Sequence, residues 1–209
     1  MDVHSETREA LLVIDMLNDF VLEGAPLEVP DTRKILPAVR REIRRARARN
    51  APVLFLCDTH APDDPEFRRM GWPPHAVRGT LGALVVEILR PGRADRVIPK
   101  TSYSCFHNTE LERTLRLLGI TRLRLTGCVT HICVLFAAYE AALRGYDVEV
   151  VEDAVAGLDP EDHAAGLRIM KNVLGARLVR PSRPPEEAPH VPHRDRRGHT
   201  ERKDHRRLF

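Results

Sequence analysis

Short apolar runs and longer amphipathic stretches take turns along this chain. Residues 10–15 (ALLVID) and 52–57 (PVLFLC) are nearly unbroken apolar runs, the pattern of parallel strands covered on both faces. The first closes on Asp15 and the second runs into Asp58-Thr-His60. Briefer runs at 96–100, 123–125, 147–151 and 176–179 complete a set of six expected strands. Helices fill the intervals. One opens at Pro30-Asp31 and reaches about Arg49, with Ile35, Leu36, Val39, Ile43 and Ala46 on a single stripe. A second runs from Asn108 or Thr109 to Leu118, with a Thr109…Glu112 capping box and Gly119 as its stop. A third begins near Thr130 or His131 and ends at Gly145. A fourth starts at Asp159-Pro160, an N-cap followed by proline at the first helical position, and ends about Leu174. This alternation predicts the α/β class: a single three-layer α/β/α domain over residues 1–180 with a mostly parallel six-stranded sheet.

Composition narrows the picture. A hydrophobic content of 43% is enough for a core of that size. The net charge of +3 belongs to residues 181–209, which hold eight Lys/Arg against five Asp/Glu. That segment is Pro-, Arg- and His-rich with hardly any apolar residues, so a disordered tail is expected. Its histidines (His190, His193, His199, His205) offer metal or polyanion binding as the alternative to a merely solvated extension. The first eight residues are expected to be a loose leader. They are charged ahead of the first apolar run, unlike a secretory signal, and no run is long enough to span a membrane. Cys57, Cys105, Cys128 and Cys133 lack paired spacing, so a reducing cytoplasm is expected. The outer face of the first long helix carries Arg33, Lys34, Arg40, Arg41, Arg44, Arg45, Arg47 and Arg49. With no aromatics interleaved for base stacking, it reads as a solvated face and not as a nucleic-acid surface.

Four candidate residues fall at strand ends or a helix start, where open α/β sheets place their chemistry: Asp15, Asp58, Lys100 and Cys133. Cys133 sits in the first turn of the third helix, where unpaired amides and the helix dipole favour a thiolate; a cysteine there is as often simply buried packing. The other three decide between those readings. Asp15 can take the thiol proton and Lys100 can hold the thiolate, while amides at the helix start can hold an oxyanion. Asp58 and His60, two apart in an extended segment, share a face; with His75 they give one oxygen and two nitrogens, a set suited to zinc, iron or manganese with positions left open. The intervening stretch, residues 61–80, has no clear periodicity and holds Asp63, Asp64, Glu66 and Trp72. A loop of that length inside a domain is more often functional than idle.

Together these pieces resemble the isochorismatase-like cysteine hydrolases, and within them the nicotinamidases. The resemblance is carried by VIDMLNDF at 13–20, DTH at 58–60, WPPHAVRGT at 72–80, KTSYS at 100–104 and GCVTHICV at 127–134, in the family's order over roughly residues 10–180. It implies that Asp15, Lys100 and Cys133 form a catalytic triad. It further implies that Asp58, His60 and His75 hold a divalent metal, zinc before iron or manganese, on which the pyridine nitrogen of a substrate rests. Glu66 is the favoured fourth ligand, with Asp64 as the other candidate. Phe20 and Trp72 would sandwich the substrate ring, with Tyr103 beside them. The Val129–Thr130 peptide is expected to be cis, and the amides of Thr130 and Cys133 to form an oxyanion hole. His131 departs from the family, which usually has Asp there.

The activity implied is hydrolysis of nicotinamide to nicotinate and ammonia through a cysteine thioester, as in NAD salvage, by a homo-oligomer acting on a small amide. The rivals are another small amide, such as a carbamoyl, ureido or pyrazinamide-like compound, and a non-catalytic member that binds partners through its basic helix and tail. An intact Asp15, Lys100 and Cys133 speaks against the last.

Overall fold

In the computed structural model, which describes residues 7–180, the six apolar runs form β1 (Glu9–Ile14), β2 (Val53–Asp58), β3 (Arg96–Lys100), β4 (Arg122–Cys128), β5 (Asp147–Ala156) and β6 (Arg177–Val179). Every neighbouring pair is parallel, in the order β3-β2-β1-β4-β5-β6. The helices are α1 (Asn18–Val21), α2 (Thr32–Ala48), α3 (Pro65–Met70), α4 (Leu111–Leu117), α5 (Leu135–Leu143) and α6 (Pro160–Asn172). The tail expected at 181–209, and most of the leader, lie outside the described residues. No helix among those described is long and apolar enough to cross a membrane.

The period of two along a strand divides the core. In β1, Ala10, Leu12 and Ile14 join Leu111, Leu115, Ala137, Ala138 and Ala141 of α4 and α5. Leu11 and Val13 join Ile35, Val39 and Ile43 of α2 on the opposite face. Both faces of β1 are therefore buried, as its unbroken apolar run requires. Several charges on the basic face of α2 meet acidic partners of the same chain at the surface. Arg33 meets Glu28 at 2.6 Å, Arg41 meets Asp153 at 2.9 Å, and Arg47 pairs with Asp95.

Beneath α2 lies a buried ion chain. Arg124 of β4 donates from Nε to Glu42 at 2.7 Å and from its terminal nitrogen to Glu149 of β5 at 2.5 Å, with all three residues buried. Because each charge has an opposite partner, the cluster holds together where any one member alone would not.

Several boundaries differ from expectation, each for a local reason. The third helix is split: a π-helical turn, Thr130–Val134, precedes α5. Strand β5 continues through Asp153 to Ala156, because its pairing with β4 resumes at Gly127 and Val155 after a register shift. Helix α4 begins at Leu111, without the expected capping box; Thr109 Oγ1 accepts from the Leu111 amide and donates to the Cys105 carbonyl. The stretch after β2 contains α3, capped by the Asp64 side chain on the Glu66 amide and stopped by Gly71 at φ +68°. The cis peptide is Cys128–Val129, one bond earlier than expected.

Gly127 fixes how closely β4 approaches β1. It holds φ +109°, and a Cβ there would stand 2.0 Å from the carbonyl oxygen of Ile14. No side chain fits a backbone contact that short, so Gly127→Ala is expected to lower stability by about 3 kcal/mol or more. Urea unfolding followed by circular dichroism measures it; a loss below about 1 kcal/mol would contradict the close approach.

Candidate active site

The chain moves outward from β1 through β2 to β3, then crosses back to place β4 on the other side of β1. Strand order thus reverses between β1 and β4, and a crevice opens at their C-terminal ends. Asp15 follows directly on β1, Asp58 ends β2, Lys100 ends β3, and the turn bearing Cys133 follows β4. In register, Asp58 lies opposite Lys100. Four residues far apart in sequence reach one place because each terminates or follows a strand of the same sheet.

Lys100 is the centre of the cluster. Its Nζ lies 2.7 Å from Asp15 Oδ2, 2.5 Å from Asp58 Oδ1 and 3.6 Å from Cys133 Sγ, and it also donates to the Ser102 carbonyl at 3.1 Å. The Asp58 amide donates to Asp15 Oδ1 at 2.8 Å, which locks the two carboxylates together. Asp15 reaches this position with φ +52°, in the left-handed region, a conformation costly for a side-chain-bearing residue and typical of functional sites. Oxygens of Asp15 and Asp58 and the Cys133 sulfur all lie within 4.8 Å of one another.

The electrostatics follow from burial and from these partners. Burial, reinforced by the Asp58 charge, pushes Asp15 up to about 6 despite the opposing Lys100. Burial also works against a charged Lys100, but Asp15 and Asp58 outweigh it and hold its pKa well above the ordinary value. For Asp58, Lys100 and His60 overcome burial and pull the pKa down. Cys133 differs from expectation. Lys100 does pull its thiol down, but burial dominates and holds the pKa well above normal. A standing thiolate is therefore disfavoured.

Beside this cluster Asp58, His60 and His75 bring one ligand atom each within 4.8 Å of the others. The 60s and 70s segments are joined by hydrogen bonds from the His60 amide to Ala76 and from the Arg78 amide to His60. Each imidazole is tied through Nδ1: His60 to Asp64 Oδ2 at 3.0 Å, and His75 to the Pro73 carbonyl at 2.9 Å. That commits neither Nε2 to a hydrogen bond among the described residues, with His60 Nε2 facing Asp58 Oδ2 at 3.8 Å, and such Nδ1 tethers orient metal-ligating histidines. The donor set fits a divalent ion. Asp64 thus stands behind His60 as an orienting carboxylate, and its oxygen also lies within 4.8 Å of ligand atoms of His60 and Glu66. Glu66 is buried, lines the pocket and lies within 4.8 Å of His60 and Asp64 atoms. Asp64 was legible in the sequence only as a candidate ligand, because its hydrogen bond to His60 depends on the cap it forms for α3.

The pocket between these groups is lined by aromatic and aliphatic side chains together with Asp15, Asp58 and Glu66. Phe20, Trp72 and Tyr103 all line it; the Phe20 and Trp72 rings lie 5.5 and 5.9 Å from His75, and Trp72 lies 6.3 Å from Tyr103. Burial, with Glu66 nearby, pushes the Tyr103 hydroxyl up to about 12. Leu27, Val29, Ile132 and Leu158 complete the apolar wall, and nothing in their local sequence distinguishes them from ordinary packing residues. Cys128, expected to be packing, is fully buried, contributes to the pocket wall and bonds its thiol to the Asp15 carbonyl at 3.1 Å. In the π-helical turn the Val129 carbonyl accepts from the amides of Ile132 and Val134, skipping Cys133 between them. Irregular turns of this kind recur at functional sites.

This geometry has counterparts in known proteins. The isochorismatase domain pattern matches residues 9–179. A protein of Arabidopsis thaliana described as a probable inactive nicotinamidase is 36% identical over 173 residues, covering 78% of this chain and 88% of its own. N-carbamoylsarcosine amidase from Thermoplasma acidophilum superposes with a TM-score of 0.77 at 35% identity, over 86% of this chain and 100% of that one. The pyrazinamidase of Pyrococcus horikoshii, solved in complex with zinc, gives 0.78 at 35% identity, over 83% and 99%. With the family pattern running from the first strand to the last, this chain belongs to the isochorismatase family of hydrolases.

Proposed function

We propose that this isochorismatase-family hydrolase is an amidohydrolase that converts nicotinamide to nicotinate and ammonia. The observation that carries the substrate is the pocket lining: aromatic and aliphatic side chains with three carboxylates, Asp15, Asp58 and Glu66, and no arginine or lysine among the described residues that form it. Such a lining suits an uncharged aromatic amide. It is less suited to substrates that carry their own carboxylate, such as N-carbamoylsarcosine, which would face three carboxylates with only the divalent ion to meet their charge.

The reaction starts from a neutral Cys133 thiol and an ionised Asp15. As the sulfur attacks the amide carbon, its proton passes to Asp15, and the carbonyl electrons move onto oxygen. The amides of Thr130 and Cys133 hold that oxyanion, and Lys100 holds the sulfur and both carboxylates in place. The carbon–nitrogen bond breaks as Asp15 returns the proton to nitrogen, releasing ammonia and leaving a thioester on Cys133. Water then attacks the thioester, Asp15 accepts its proton, and the proton returns to the departing sulfur as nicotinate forms. An Asp15 pKa near 6 suits a group that takes a proton and gives it back near neutral pH. Asp58, His60 and His75 would hold a divalent ion, which as a Lewis acid supplies an acceptor for the pyridine lone pair and so orients the ring. The product, an anion, is repelled by the carboxylates that tolerated the neutral substrate.

Three outcomes are expected. Cys133→Ala lowers ammonia release from nicotinamide by about 10³-fold or more, with the fold kept as judged by circular dichroism; retention of the wild-type rate would remove the cysteine from the reaction. Exhaustive chelation, with loss of the ion verified by elemental analysis, lowers activity on nicotinamide by about 10- to 100-fold, and zinc restores it. Activity untouched by that loss would favour a carbamoyl or ureido substrate. Finally, kcat/KM for nicotinamide or pyrazinamide exceeds that for N-carbamoylsarcosine by about 100-fold or more, since a substrate carboxylate would crowd against the three lining carboxylates. The reverse ranking would overturn the substrate assignment.

A further inference from the structure

Helix α6 is remote in sequence from the catalytic candidates, yet its first turns press against the turn that carries Cys133. Asp159 caps the helix by accepting from the amides of Glu161 and Asp162 at 2.7 and 3.2 Å, and this fixes where the next residues stand. Three contacts then join α6 to the Thr130–Val134 turn. His163 Nδ1 lies 2.9 Å from Thr130 Oγ1. Asp162 Oδ2 faces His131 Nε2 at 3.8 Å. Gly166 abuts the His131 backbone so closely that a Cβ would stand 3.1 Å from its Cα. On the other side, Gly157 gives His163 its room: a Cβ at 157 would stand 2.7 Å from that of His163. Leu158, in the same connection, lines the pocket.

Thr130 makes this contact consequential. It is fully buried, so water has no route by which to replace a lost partner of its hydroxyl. Its side chain is β-branched and stiff at χ1, so tying Oγ1 in place also ties the orientation of its backbone. That backbone leads the turn in which the Val129 carbonyl skips the Cys133 amide. Burial pushes the His163 pKa down, which keeps the ring neutral and able to form this hydrogen bond in either tautomer.

We propose that His163 is a positioning residue: by bonding Thr130 Oγ1 it fixes the turn from which Thr130 and Cys133 present their amides to the substrate oxyanion. The inference rests on the reading of the site given under Proposed function. His163 itself touches neither the substrate nor the sulfur; it acts only through Thr130. The helix supplying it also supplies Asp162 opposite His131, so the residue that departs from the family's usual Asp has its acidic partner on α6 instead.

The test uses the full-length protein and four variants: His163→Ala, His163→Asn, Thr130→Val and the Ala/Val double. Kinetics are read on whichever amide of a panel the wild type cleaves fastest. Hydrogen exchange is read by mass spectrometry on peptides spanning 129–134. For His163→Ala, kcat is expected to fall about 10- to 100-fold with KM changed less than about threefold, since misplacement of a catalytic group costs turnover more than binding. Asparagine can place a polar atom near the position of Nδ1, and it is expected to restore kcat to within about threefold of wild type. Thr130→Val should match His163→Ala, and the double variant should be no worse than either single, because all three lose the same bond. Exchange at 129–134 should quicken about tenfold or more in His163→Ala while peptides of β1 and β2 stay unchanged. An unchanged kcat in His163→Ala, losses that multiply in the double variant, or exchange that quickens equally throughout the sheet would each overturn the proposal. If the wild type cleaves no amide, the functional reading falls, and the exchange measurement alone decides whether His163 orders the turn.

Discussion

A lysine ammonium sealed from water, as Lys100 is with 1% of its surface exposed, survives only where carboxylates meet it. Two do so, Asp15 at 2.7 Å and Asp58 at 2.5 Å, and the rest of the site depends on that bond pair. Since two negative charges share one positive, the cluster carries a surplus of negative charge. That surplus, together with burial, keeps Asp15 near 6 while Asp58 remains ionised. The division of labour follows: Asp15 is the carboxylate that can accept a proton, and Asp58 is the one that can face a cation on its other oxygen. Asp58 does so structurally as well, offering Oδ1 to Lys100 and lying 3.8 Å from His60 Nε2 through Oδ2. The ion pair and the candidate metal site are thus two sides of one carboxylate.

A parallel sheet assembles these pairs simply, because the C-terminal ends of β1, β2 and β3 lie side by side at one edge. Asp58 at the end of β2 lies between Asp15 after β1 and Lys100 at the end of β3, and the strands β1 and β2 behind the two carboxylates are apolar on both faces. The close approach at Gly127 brings β4 against β1, so the turn that follows β4 delivers Cys133 to within 3.6 Å of Lys100. The metal-ligand loop is held differently. The Asp19 carboxylate accepts from the Ala76 amide at 2.8 Å, and the Asn18 side chain donates to the Leu81 carbonyl at 2.8 Å. The short segment that presents Phe20 therefore also anchors the loop that presents His75.

What the sequence made legible were elements whose signal is local. Apolar runs ending in Asp15 and Asp58 pointed to both strand and site, because a charge at the end of a doubly buried strand has few other uses; Lys100 closes a shorter, half-exposed strand. The fourth helix was equally plain, since an Asp-Pro start encodes its own cap. The buried chain of Glu42, Arg124 and Glu149 was not legible: on a highly charged helix one glutamate looks solvated, and an arginine amid leucines looks like a strand end. Only the facing of α2 with β4 and β5 makes them partners. The extension of β5 through Asp153 was hidden for a related reason, as its register shifts at the glycine it pairs against. Asp64 illustrates the remaining gap. Its residue type suggested a ligand, while the fold uses it to cap α3 and to orient His60.

The raised thiol pKa of Cys133 bears on selectivity as well as rate. A cysteine held as a thiolate would react with any electrophile small enough to enter. Here burial raises the thiol pKa, and the nearby carboxylates, Asp15 and Asp58, are both already paired with Lys100. In the proposed reaction, attack requires the sulfur to shed its proton while a carbonyl is in place to receive its electrons. A substrate that fails to seat against Phe20, Trp72 and the histidines leaves that carbonyl misplaced, and the thiol stays inert. On the proposed reading, aromatic wall, buried ion pair and protonated sulfur act as one device: the pocket is correctly filled before its nucleophile forms.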